Sequence, residues 1–515
     1  MKRIISGLLL LCLVSGCVVN PVTGKKQLSI VSEAQERQIG AEQYSPSQQS
    51  QGGQYETDEA LTTYVNEVGQ RLAAVSDRQL DYEFVVLNNG VPNAWALPGG
   101  KIAVNRGLLT ELNNEAELAA VLGHEIVHAA AAHGAQSITR GTLLQGAMVV
   151  GAIASANNEF SDYIVGASQL GAQLITQRYG REAESESDYY GIQYMVRAGY
   201  DPRAAVSLQE TFVRLSEGKE PGWFEGLFAS HPPSTQRVRD NQALVAELMP
   251  TLAGRDLETG EARYQQAISY LKETKPAYDL FDEAEKAIAE DDLEEAREKV
   301  DQAIRLVPRE ARFHGLKGDI DVYQRNYRAA IRNYDEALEL DNNYFDYYLG
   351  RGYANARLDQ ESEARADLER STELLPTAIA YNELGKISIG DGDRAAARQY
   401  FEVASQGQGV VGQEAQQALM QLNLEDNPTA FIKAEPYVDD RGRLIARVSN
   451  GSNVRFSNVQ VDFAAVINGG VQRQSRTVGS LQANSYADVN SGLVFPAGIT
   501  PTPDMVRVEV TRAQP

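Results

Sequence analysis

The stretch LGHEIVHAAAAH (122–133) holds three of the chain's five histidines, with a glutamate between the first two. On a helix His124 and His128 share one face, because four residues turn through about 400°. Two imidazoles on one face beside an acid suit a metal ion and a base that acts on water. His133 stands nine residues from His124, about 900° round the same helix. It is therefore expected on the far side, as a surface residue or one a layer behind the ligands. A Gly turn after His128 could swing a third histidine back, but Ala129 to Ala132 read as continued helix. Asn114 reads as the N-cap of this helix, with Glu117 reaching back in a capping-box arrangement.

A tetrahedral zinc site of the catalytic kind needs a third protein ligand and an open position for water. The stretch RYGREAESESDYYGIQYMVRAGYDP (178–202) reads as a helix ending at Gly199. Glu184 and Asp188 share one face of it, Glu182 and Glu186 another, and the spacing alone does not choose between the pairs.

HEIVH, then REAESESD with Gly191 and AGYDP beyond, resembles the gluzincin family of HtpX and the CAAX prenyl endopeptidases. NAWALPGGKIAVNRGLL (93–109) resembles the strand segment before that family's zinc helix, and ASHPPSTQRV (229–238) its later His-Pro…Arg element. The resemblance covers about residues 20–250; with the repeats described below, it is nearest to the BepA-like periplasmic members. It implies one Zn2+ per chain on His124, His128 and Glu184, with Glu125 as the base and Asp188 orienting a ligating histidine. Ser187 stands where the family has Ala, and Ser230 where it has Thr. His231 has three readings: a fourth zinc ligand in a closed resting state, an oxyanion donor beside Arg237, or a cap of the next helix. The strand residues Leu97, Pro98, Gly99, Gly100, Ile102 and Val104 are expected to bind an extended substrate by strand addition at an edge.

These residues need a scaffold. At 515 residues and 56.4 kDa the chain should divide into several domains. The net charge of −22 argues against nucleic-acid partners. MKRIISGLLLLCLVSGC reads as a lipoprotein signal (1–16) that leaves Cys17 acylated. Cys12 departs with the signal, so no disulfide is expected. Residues 17–56 read as an anchored segment with a helix at Ser32–Gln43 and a Ser/Gln/Gly linker. The peptidase domain spans 57–253, mainly α-helical, with 82–90 and 96–105 expected to form a β-hairpin. The Ala/Gly/Val-rich 141–177 stretch reads as two packed helices covering the site. A linker helix (254–277) leads to repeats at 278–426. There Ala296, Ala330, Ala364 and Ala397 recur at about 34 residues, as do Gly318, Gly352 and Gly385, which resembles tetratricopeptide repeats. Alternating apolar and polar runs in 427–515 read as an antiparallel β-sandwich.

The fold class expected is therefore multidomain and mainly α: a helical HExxH peptidase, an α-solenoid and a small β-sandwich. The expected activity is that of a zinc metalloendopeptidase of the bacterial cell envelope. It would face the periplasm, anchored through Cys17 to the outer membrane, and cleave misfolded or stalled envelope proteins. The repeats would recruit clients or outer-membrane assembly machinery. A second reading makes the chain a non-proteolytic assembly adaptor whose metal site His231 keeps shut.

Overall fold

The computed structural model describes residues 17–145, 178–218, 230–407, 409–496 and 502–515. The leader at 1–16, residues 146–177 of the expected cover and Ala229 lie outside them. The chain divides into two compact units, Met1–Ile387 and Ser388–Pro515.

The first unit opens with a hairpin of β1 (Cys17–Val19) and β2 (Lys26–Leu28). Helix α1 (Glu33–Ser50) starts at a capping box, in which Ser32 and Gln35 cap each other's backbone. It runs past the end expected at Gln43, so the stretch read as a flexible linker is helix, with Gln43, Ser47, Gln48 and Gln49 buried. Gln48 and Gln49 are paired there, whereas Gln43 Oε1 and Ser47 Oγ have no partner among the described residues. Gln49 Nε2 donates to Asn343 O at 2.7 Å, and its Oε1 accepts from Phe345 N at 2.8 Å. Such partners offset the cost of burying Gln49, and composition cannot show them.

Helix α2 (Glu59–Ala73) precedes strands β3 (Glu83–Leu87), β4 (Ala94–Leu97) and β5 (Lys101–Asn105). They form one sheet in the order β3-β5-β4. The expected hairpin between 82–90 and 96–105 is corrected: β3 pairs parallel with β5, and the hairpin is β4–β5. Gly99 and Gly100, at φ +81° and +94°, turn the chain inside what read as one strand. Strand β5 is therefore central, and Ile102 and Val104 are fully buried, so neither lines a free edge. Pro98 and Gly99 pack beneath α1, where a Cβ on Gly40 would stand 1.9 Å from Pro98 O. Among the described residues β4 pairs with β5 alone, and all four of its residues are buried.

Short helix α3 (Arg106–Leu109) leads to α4 (Glu115–Ala130), which Leu118, Leu122, Ile126 and Val127 bury in the main core. Helices α5 (His133–Gln145), α6 (Arg181–Arg197), α7 (Arg203–Gly218) and α8 (Thr235–Leu248) complete the scaffold of the site. Helices α4 and α6 pack closely where Gly123 meets Gly191; a Cβ on Gly191 would lie 3.1 Å from His124 N. That approach carries the acids of α6 to the histidines of α4.

Helices α9 (Glu261–Ala267) and α10 (Ser269–Ala289) include most of the stretch read as a linker helix, and they are packed: Tyr264 is fully buried and donates to Leu109 O at 2.6 Å. Helices α11 (Leu293–Leu306), α12 (Ala311–Tyr323), α13 (Tyr327–Leu340), α14 (Phe345–Arg357) and α15 (Glu361–Leu374) form the repeats with α10, and α16 (Ala378–Gly390) follows. Ala296, Ala330 and Ala364 are fully buried, as close helix pairing requires. Buried Glu310 ties this array to the peptidase region, accepting from Thr57 Oγ1 at 2.6 Å, Asn88 Nδ2 at 2.9 Å and the Tyr278 hydroxyl.

The second unit holds α17 (Arg394–Ala404) and α18 (Gly409–Asp426), then six strands: β6 (Ile432–Val438), β7 (Arg443–Asn450), β8 (Phe456–Ile467), β9 (Gly470–Leu481), β10 (Tyr486–Val494) and β11 (Val506–Gln514). They make two antiparallel three-stranded sheets, β10-β7-β6 and β11-β8-β9, around Val448, Phe456, Val461 and Phe463. No helix among the described residues is long and apolar enough to cross a membrane.

Candidate metal centre

Asn114 caps α4, its Oδ1 accepting from Glu117 N at 3.0 Å. The Glu117 carboxylate reaches back to Asn113 N at 2.8 Å, one residue earlier than a capping box would place it. A buried helix with a fixed start holds His124 and His128 on one face, and their Nε2 atoms stand 3.0 Å apart.

From α6, Glu184 Oε2 lies 3.5 Å from His124 Nε2, and Oε1 lies 3.4 Å from His128 Nε2. His231, just before α8, brings Nδ1 to 3.0 Å from Glu184 Oε1 and 3.3 Å from His124 Nε2. Among the described residues these four form one group whose donor atoms all lie within 4.8 Å of one another. Ligands at zinc's usual bond lengths in a tetrahedron stand about 3.3 Å apart, so the donor set, imidazole and carboxylate, fits a zinc-sized cation in spacing as well as type.

The supporting shell is equally defined. Asp188 Oδ1 accepts from His124 Nδ1 at 3.0 Å, which leaves His124 Nε2 free for a metal. Arg237 grips Asp188 with Nε and Nη2, both at 2.7 Å, and its Nη1 lies 3.1 Å from Glu184 Oε2. Arg237 thus stands behind the carboxylates. Of the two acidic pairs on α6, Glu184 and Asp188 face His124, His128 and His231; Glu182 is exposed beside Lys25, and Glu186 lies 3.5 Å from His133 Nε2. Tyr179, which pattern reading passed over, stacks on the His128 ring at 4.1 Å between centroids. An aromatic one turn before an acidic helix carries no signal of its own.

The electrostatics match a place for a cation. Burial alone would lower the His124 pKa, but hydrogen bonds to Asp188 and Glu184 bring it up to about 10. Burial, with His124 close by, holds His128 well below the usual imidazole range. Against the cost of burial, His231, His124 and His128 keep the Glu184 carboxyl far below its ordinary value. Burial would likewise raise Asp188, and Arg237 brings it down to about 2. Glu125 differs: burial pushes it up, its Oε2 has no partner, and its Oε1 lies 3.7 Å from His231 Nε2. A cavity of about 40 Å3 beside Glu125 and His124 is lined by Val121, Ile192, Met195, Leu208 and Phe212. Ser187 and Gln209 also line it, each with a buried oxygen that lacks a partner.

His133 lies a layer behind the candidate ligands, one of the two places expected for it, but it arrives there through a break and not on a continued helix. Helix α4 ends at Ala130, Ala131 caps it, and Ala132 takes φ +56°, so the helix does not continue through Ala132. His133 turns back, is 2% exposed, and sets its Nδ1 3.0 Å from His128 Nδ1. It is not on the surface. The break is held from elsewhere in the fold: Ala131 O accepts from Asn20 Nδ2 at 3.1 Å and from Gln136 Nε2 at 2.9 Å. Those partners offset the strain of a left-handed alanine, which no local motif announces.

Site and scaffold define a metallopeptidase joined to helical repeats. Residues 59–245 match the model of peptidase family M48, and residues 318–359 match a TPR repeat. The chain is similar to the Beta-barrel assembly-enhancing protease of Escherichia coli (strain K12), 26% identical over 379 residues, 68% of this chain and 76% of that protein. It is also similar to the Mitochondrial metalloendopeptidase OMA1 of Schizosaccharomyces pombe, 32% identical over 225 residues, 42% of this chain and 64% of that protein. Metalloprotease YcaL of Escherichia coli (strain K12) is 30% identical over 148 residues, 28% of this chain and 56% of that protein.

Proposed function

We propose that the chain is a zinc-dependent endopeptidase of the bacterial cell envelope, hydrolysing peptide bonds of misfolded or stalled envelope and outer-membrane proteins. One observation carries this reading: His124, His128 and Glu184, with His231, bring donor atoms within 4.8 Å of one another, and the buried Glu125 Oε1 lies 3.7 Å from His231 Nε2. A zinc ion held there would polarise the scissile carbonyl and bring a water's pKa to about 7. Glu125 takes a proton from the attacking water and returns it to the leaving amine. Its burial among the donors keeps bulk water from competing for that proton. Asp188 and Arg237 hold His124 and Glu184 in place through the cycle. The side of β4 away from β5 lays out the substrate backbone by strand addition.

In this reading His231, the fourth donor of the group, closes the site at rest. Its withdrawal opens the position that water needs. The same observation supports the adaptor reading, in which the site stays shut and the repeats act as an assembly module. A groove of about 950 Å3 in the repeats, lined by Leu316, Tyr323, Leu349 and Tyr353 among others, suits recruitment of clients or assembly machinery. Acylation of Cys17 would tether the chain to the outer membrane, facing the periplasm. The relatives' names, a beta-barrel assembly-enhancing protease among them, accord with envelope quality control.

Glu125→Gln tests the mechanism. It should keep its metal while cleavage of an unfolded reporter falls about 10²- to 10⁴-fold. Unchanged cleavage refutes the role of Glu125. Full rescue of an envelope defect by the same variant would favour the adaptor.

A further inference from the structure

The two histidine ligands are supported in different ways. His124 donates directly to a carboxylate, Asp188, which Arg237 clamps. His128 has no carboxylate on its outer nitrogen; it has His133, Nδ1 to Nδ1 at 3.0 Å. Beyond His133, its Nε2 lies 3.5 Å from Glu186 Oε2, and Glu186 Oε1 accepts from Lys25 Nζ at 2.8 Å. Lys25 belongs to the β1–β2 hairpin, and that hairpin also supplies Asn20, which donates to Ala131 O at the break that turns His133 inward.

The protons can be placed along this line. A ligand histidine that offers Nε2 to a metal carries its own proton on Nδ1. His128 Nδ1–H then donates to His133 Nδ1, which must be the accepting nitrogen. The His133 proton sits on Nε2, a buried atom with no other partner, pointed at Glu186. We propose that His133 is a positioning residue for His128: it fixes the ligand's tautomer and ring plane, and links it through Glu186 and Lys25 to the N-terminal hairpin. The metal's hold on the site then depends partly on a segment that begins at Cys17, far from the peptidase motif in sequence. This rests on His124, His128 and Glu184 being the metal ligands, as proposed above. The backing of His128 is weaker than that of His124, because a neutral ring stands between the ligand and its acid and the terminal cation, Lys25, is exposed. An anchored hairpin pulled out of register would act on His128 first.

Cobalt(II) titration of the full chain, read by affinity and by the visible absorption of the bound ion, tests this. His133→Phe should weaken cobalt binding about 10- to 100-fold and shift the absorption bands. His133→Asn, which still accepts from His128 Nδ1–H, should recover most of both. Lys25→Met, remote from the core, should weaken binding about 2- to 5-fold, the size an exposed ion pair allows. Unchanged affinity and bands in a folded His133→Phe, or no recovery by His133→Asn, would overturn the proposal. A weakened His133→Phe beside an unaltered Lys25→Met would overturn the hairpin's part. Wild type that takes up no cobalt would instead overturn the ligand assignment itself.

Discussion

Two glutamates, Glu115 and Glu184, sit in the first turn of neighbouring helices, α4 and α6, and both are almost completely buried. Their partners separate them. Glu115 accepts from Tyr64 and Tyr200 hydroxyls at 2.8 and 2.9 Å and from Arg263 Nε and Nη2 at 2.9 and 2.8 Å. Both of its oxygens are satisfied by donors that have no other chemistry to perform. Glu184 faces three imidazoles and shares Arg237 with Asp188. Imidazoles can exchange a proton for a metal ion; phenols and a guanidinium saturate a carboxylate and leave nothing for a ligand. Burial alone does not mark a functional acid. The kind of partner does.

The comparison breaks if the two acids behave alike. The largest contrast is expected for alanine variants. Glu184→Ala should fall from one metal per chain to below about a tenth, while Glu115→Ala keeps its metal. Glu115→Ala should instead cost about 2–3 kcal/mol in denaturant unfolding, since it leaves two phenols and an arginine without their acceptor.

A pH series sharpens the point. Burial would raise the Glu115 pKa, but Arg263 and the two phenols more than reverse this and place it below the ordinary carboxylate value. A depressed folded-state pKa contributes stability that is present above the unfolded value, about 4.3, and is lost as pH falls through the folded value. The stability gap between wild type and Glu115→Gln should therefore be full at neutral pH and narrow in acid. A gap that stays constant would show that the charge of Glu115 is immaterial. The smallest effect is expected for Tyr200→Phe, about 1 kcal/mol from one hydrogen bond, with metal content unchanged.

Much of this was legible in residue order, for identifiable reasons. The facing of His124 and His128 follows from helical period over one turn, and the repeats from small residues at a fixed beat. Glu184 was not separable from its neighbours by spacing; resemblance to a family chose it, and only the Gly123–Gly191 approach of α4 and α6 brings it to the histidines. The break at Ala131–Ala132 was hidden because its cause is Asn20, more than a hundred residues away. The polar 44–53 stretch looked like a linker because its hydrogen-bond partners, Asn343 and Phe345, lie in the repeats. The parallel pairing of β3 with β5 is a non-local choice that alternation cannot reveal. In the repeats, Asp291, Arg325 and Asp359 adopt φ of +64°, +60° and +58° at the helix turns without any glycine to signal it.

Metal analysis of the purified full chain, alongside His124→Ala and Glu184→Ala, tests the central claim most directly. The expected result is one zinc per wild-type chain and almost none in either variant, with chelation stopping peptide cleavage and added zinc restoring it. A wild-type chain that hydrolyses peptides without bound metal, or a Glu184→Ala chain that holds zinc as tightly as wild type, would contradict it.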